Sequence, residues 1–141
     1  LCCDIIIAWE NAFLQMPEVN VGLAGGVSHV RRHFSESDAR LLIFTGRRVY
    51  GPDLLRMNVV SACVAPDALL ECARDMAFEI AAASPSAVRA AKTSFKVTEG
   101  MSIYDGYRFE QSLTKTLSTS EDTEEAMAAF REKRKPVFKD G

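Results

Sequence analysis

Apolar positions along this 141-residue chain change rhythm near its middle. Up to the mid-sixties they fall in short, β-branched runs. From Asp67 onward they recur every three or four residues. The unbroken run from Asp4 to Ala8 predicts a buried parallel strand, and Ala12 to Gln15 a second short one, with Asn11 in the turn between them. Val27 to Phe34 reads as a short helix. Ser35 can cap another, with Asp38 three residues on; Ala39, Leu42 and Ile43 then face inward and Gly46 ends it. Pro52 opens a brief helix through Met57, and Val59 to Val64 predicts a strand.

The second rhythm is helical. Between Asp67 and Ala83, residues Leu69, Ala73, Met76 and Ile80 recur on one stripe. Ser84-Pro85 opens the next helix, with Val88, Ala91 and Phe95 inward and Gly100 as its stop. Ser102 and Asp105 begin another, lined by Phe109, Leu113 and Leu117. Ser120 begins the last. Acids crowd its start (Glu121, Asp122, Glu124, Glu125) and bases its end (Arg131, Lys133, Arg134, Lys135), as the helix dipole favours; Pro136 stops it. No repeat or Pro/Gly/Ser-rich linker interrupts the change. The predicted layout is a mixed α/β region over 1–66 and an α-helical region over 67–141.

Composition narrows the class without naming it. Hydrophobic residues make up 48% and charged residues 26%, which is globular and neither disordered nor membrane-spanning. A net charge of −2 gives no general attraction to nucleic acid or an anionic membrane. Cys2, Cys3, Cys63 and Cys72 lack CxxC spacing, so buried free thiols in a reducing compartment are expected. His29 and His33 stand four apart, but no HExxH pattern surrounds them, and no metal is expected. Gly22, Gly25 and Gly26 are not a dinucleotide fingerprint.

One stretch carries candidate chemistry. Met16-Pro17-Glu18-Val19-Asn20-Val21-Gly22-Leu23-Ala24-Gly25-Gly26 places a single carboxylate after a proline and then runs uncharged into glycines. An acid that burial can tune, beside backbone that can approach a ligand closely, is what proton transfer in a dry pocket needs. Pro-Glu is also an ordinary helix start, and spacing alone leaves both readings open.

Segments in the order Cys3 to Ala8, Glu10 to Ala12, Pro17 to Leu23, Leu42 to Arg48, Ser84 to Lys92 and Phe130 to Lys139 resemble the enoyl-CoA hydratase/isomerase (crotonase) family. The resemblance implies the C-terminal part of a crotonase-like ββα spiral followed by an α-helical oligomerisation region. It implies hydration of a 2-enoyl-CoA, with Glu18 transferring a proton at the α-carbon. It also implies that the family's second glutamate and its two oxyanion amides map before Leu1, so the chain is expected to be a fragment, inactive alone. The loop glycines fall about two residues short of the family pattern. Gly22, Leu23 and Gly26, with Trp9 and Met16, are candidates for the acyl end. Phe130 and Lys133 are candidates for the nucleotide of coenzyme A, reached across a subunit boundary; a plain helix-end reading stands beside that one. No cofactor is expected, coenzyme A being part of the substrate. A cytoplasmic homotrimer or hexamer is implied. The alternatives are an isomerase or another crotonase-type lyase or hydrolase and, of another class, a non-catalytic oligomerising fragment.

Overall fold

The computed structural model describes residues 1–139. They form two units, Leu1–Arg74 and a second from Asp75 onward.

The first unit is mixed. Strand β1 (Ile7–Trp9) pairs in parallel with β4 (Ala62–Val64), and β2 (Phe13–Leu14) pairs antiparallel with β3 (Val49–Tyr50). Between them lie α1 (Val27–Arg31), α2 (Glu36–Thr45) and α3 (Gly51–Arg56). Ser35 caps α2 by accepting the Asp38 N–H, and Gly46 closes it at φ +60°. Ala39, Leu42 and Ile43 point into a core completed by Ala8, Val30, Phe34, Val49, Leu54, Val59 and Val60.

Three expectations change here. The first strand begins at Ile7 instead of Asp4, because its partner offers only three residues. The last expected strand shortens to Ala62–Val64. Asn58 turns the chain at φ +58°, and the Val59 and Val60 N–H groups donate back to the Leu54 carbonyl, so these valines serve the core as a helix end. Cys2 and Cys3 are exposed, lying before the strand pairing starts, while Cys63 and Cys72 are half-buried. The strand at Val49–Tyr50 was not expected; two residues are too few to show a period.

The second unit is built from helices. A 3-10 turn (Pro66–Ala68) leads into α4 (Leu69–Ala81), which runs across the unit boundary. Then come α5 (Pro85–Thr98), α6 (Ile103–Leu117) and α7 (Glu121–Glu132). Ser84, Ser102 and Ser120 each accept an N–H from three residues on, as their spacing predicts. The facing of α5 differs from expectation. Val88, Ala91 and Phe95 are exposed, while Ala90, Ser94 and Thr98 are half-buried. The helix meets α6 through small side chains: Thr98 lies against Gly106, and the Ser94 hydroxyl donates to Glu110 at 3.1 Å. Bulk on a helix does not identify its packed face when the partner contributes a buried glycine. Ile80 of α4 is also exposed. Helix α7 ends at Glu132, short of Pro136, through a left-handed turn at Lys133.

Candidate functional site

The Pro17 loop is a 3-10 turn (Pro17–Val21) with proline at its first position, where a missing N–H costs nothing. Gly22 closes the turn at φ +74°, and the Leu23 N–H donates to the Glu18 carbonyl at 2.9 Å. Gly26 then starts α1 at φ +68°. A side chain on Gly26 would meet the terminal methyl of Met16, the free end of a flexible side chain, so it is the left-handed backbone that calls for glycine here.

The loop is fastened to the C-terminus of α2. Gln15 donates its amide to the Gly46 carbonyl at 2.8 Å and accepts from Arg48 at 3.3 Å. Arg48 in turn lies over the Phe13 ring at 4.4 Å, a cation–π contact. Asn20 occupies the space a Gly46 side chain would need. Val19 packs on the core beneath. Gln15, Asn20 and Gly46 thus fix the acid's backbone. Spacing could not have singled them out, because their partners lie some thirty residues away in sequence.

Glu18 is half-buried. Among the described residues, its Oε2 is the one buried side-chain polar atom without a hydrogen-bond partner. Leaving such a group unpaired costs about 1–3 kcal/mol, more for a charge, so folded proteins rarely keep one without use for it. This carboxyl is held on a braced turn with one oxygen uncommitted, and it can give or take a proton at a bound group.

The other sequence candidates separate into groups. Gly22, Leu23 and Gly26 share the Glu18 loop; the Leu23 side chain is 65% exposed. Trp9 lines a different feature of the first unit, an apolar cavity of about 170 Å³ shared with Ile6, Ala8, Ala12, Phe13 and Leu54, and Glu18 is not among its walls. Phe130, 86% exposed, and Lys133 belong to the second unit, at the end of α7. His33 Nε2 is engaged with the Leu1 carbonyl at 2.9 Å, while His29 is exposed. Among the described residues no cluster of three or more His, Cys, Asp or Glu side chains could hold a metal ion, and no helix is long and apolar enough to cross a membrane.

This arrangement has close counterparts. The crystal structure of enoyl-CoA hydratase from Bacillus anthracis matches 97% of the chain with a TM-score of 0.92 at 31% identity, using 54% of its own length. A structure of enoyl-CoA hydratase subunit I from Geobacillus kaustophilus HTA426 matches 97% with a TM-score of 0.90 at 32% identity. The fold is therefore of the crotonase type. The sequence profile of the enoyl-CoA hydratase/isomerase family matches residues 1–141, and the chain belongs to that family. A probable enoyl-CoA hydratase of Rhizobium meliloti (strain 1021) is 39% identical over 99% of the chain, and the 2,3-dehydroadipyl-CoA hydratase of Escherichia coli (strain K12) 32% identical over 99%. The chain spans about 55% of the length of these relatives.

Proposed function

We propose that this chain supplies the proton-transferring acid of a crotonase-type enzyme that hydrates a 2-enoyl-CoA thioester. The observation that carries the reading is the unpaired, buried Oε2 of Glu18 on a braced turn, in a chain of this family. In the hydration direction the Glu18 carboxyl gives its proton to the α-carbon as a water oxygen bonds to the β-carbon. The water's own proton passes to a second base. Negative charge gathers on the thioester oxygen and needs fixed hydrogen-bond donors. In this reading those donors and the second base come from outside this chain, which spans about 55% of the relatives' length. The glycines at 22 and 26 let backbone approach the acyl end, with Leu23 beside them. Phe130 and Lys133 offer a ring and a cation to the adenine and phosphate of coenzyme A. No cofactor beyond the coenzyme A of the substrate enters this reading. A cytoplasmic homotrimer or pair of trimers goes with it, supported by the apolar side chains that the second unit exposes, such as Phe95 and Ile103.

The test replaces the matching segment of the Rhizobium meliloti relative with this chain. The chimera is expected to hydrate crotonyl-CoA. Glu18→Gln keeps the shape and loses the transferable proton, so turnover should fall by about a hundredfold or more with KM nearly unchanged. Unchanged turnover would remove Glu18 from the chemistry. The unjoined chain should show no hydration.

A further inference from the structure

Helix α7 ends on a residue that does not favour the ending. Lys133 adopts φ +53°, the left-handed conformation that glycine takes without steric cost. The backbone bonds of the turn are complete: Lys133 N–H donates to the Phe130 carbonyl at 3.3 Å and Arg134 N–H to the Ala129 carbonyl at 3.0 Å. A glycine would close the helix equally well. What the lysine adds is a cation one turn beyond the exposed Phe130 ring.

A carboxylate from the middle of α7 holds the segment that follows this turn. Glu125 accepts from Arg134 Nη1 at 2.5 Å and Nη2 at 2.9 Å, and from the Val137 N–H at 2.8 Å. It therefore grips the residue after the turn and the backbone three residues further on. Arg134 is also bonded to Glu132 at 2.6 Å and to the Lys135 carbonyl at 3.2 Å. All three bonds that Glu125 accepts come from the segment leaving α7. The paired guanidinium, then the Val137 N–H, hold the Glu125 carboxyl down at about 2.

We propose that Glu125 is a positioning residue: by clamping Arg134 and the Val137 amide it fixes the left-handed turn at Lys133, and so presents Phe130 and Lys133 together to the nucleotide end of a coenzyme A thioester. The proposal rests on the reading that these two side chains meet that nucleotide. It predicts an effect confined to the part of the substrate they touch.

Two measurements test it. In the chain itself, Glu125→Gln should speed hydrogen exchange at the Val137 amide about tenfold or more while leaving Ala129, inside α7, unchanged. Equal acceleration at both, or none at Val137, overturns the clamp. In the chimera, Glu125→Gln and Arg134→Gln should each raise KM for crotonyl-CoA about tenfold with kcat held, and leave KM for crotonyl-pantetheine, which lacks the nucleotide, unchanged. A KM that rises for both substrates, or for neither, overturns the proposal. The clamp and the reading under it fail differently. If Phe130→Ala and Lys133→Ala leave KM for crotonyl-CoA unchanged, the nucleotide contact is wrong. If they raise it and Glu125→Gln does not, only the clamp is wrong. Loss of Glu18 acts on turnover and bears on neither.

Discussion

The two units bury their apolar residues to very different degrees. Of the buried hydrophobic side chains among the described residues, all but Ala129 belong to the first unit. That unit closes a core around Leu42 and Val30 with four strands of two or three residues each. The second unit has longer helices and well-placed serine caps, yet it exposes Phe78, Phe95, Ile103, Tyr104 and Phe130. Helix formation and core formation are thus separate achievements. Caps and period fix where a helix starts and how it runs; burial needs a surface to press against, and an exposed apolar stripe marks a place where one is wanted.

Substitutions can break this contrast. Leu42→Ala removes a side chain that is 1% exposed, and should cost about 2–5 kcal/mol in denaturant unfolding followed by the fluorescence of Trp9, the single tryptophan. Gly46→Ala meets both a left-handed backbone and the Asn20 amide at 2.8 Å, and should cost about 1–2 kcal/mol in the same assay while displacing the Glu18 turn. Phe95→Ser, on the exposed side of α5, should cost less than about 0.5 kcal/mol and yet lower the scattering of a concentrated solution. If Phe95→Ser cost as much as Leu42→Ala, the contrast between the units would fail.

Acid sharpens the contrast further. Asp122 accepts from the Ser84 hydroxyl at 2.6 Å and from the Ser86 hydroxyl and N–H, which lower its pKa, and Glu125 is held at about 2 by Arg134 and Val137. Both carboxylates are depressed in the folded state, so unfolding takes up protons. Their stabilisation is fully present above the ordinary values, 3.8 for Asp122 and 4.5 for Glu125, and is lost as pH falls below them, for Glu125 toward 2. Both lie in the second unit, so helical circular dichroism should decline before Trp9 fluorescence shifts on acid titration. Coincident transitions would mean that the carboxylates do not distinguish the units.

Much of the fold is legible in the sequence where local chemistry decides it. Ser35, Ser84, Ser102 and Ser120 cap as their spacing foretells, and Gly46 stops α2. What escapes is what distant residues decide. The limits of β1 depend on β4, more than fifty residues away. The packed face of α5 depends on a glycine in α6, so a rule of bulk picks the wrong side. At the site, the Pro-Glu loop stands out from its glycines and from family resemblance. Its braces, Gln15 and Asn20 against Gly46, do not, and neither does the grip of Glu125 on Arg134 and Val137.

The central claim is that Glu18 moves a proton at the α-carbon of an acyl-CoA. The most direct measurement follows that proton. The chimera is run on 3-hydroxybutyryl-CoA in deuterated water, and exchange at the α-carbon is read by NMR, with and without Glu18→Gln. The account predicts deuterium entering the α-position with Glu18 present and an exchange rate lower by about a hundredfold in the variant. Exchange at the same rate in both would contradict it.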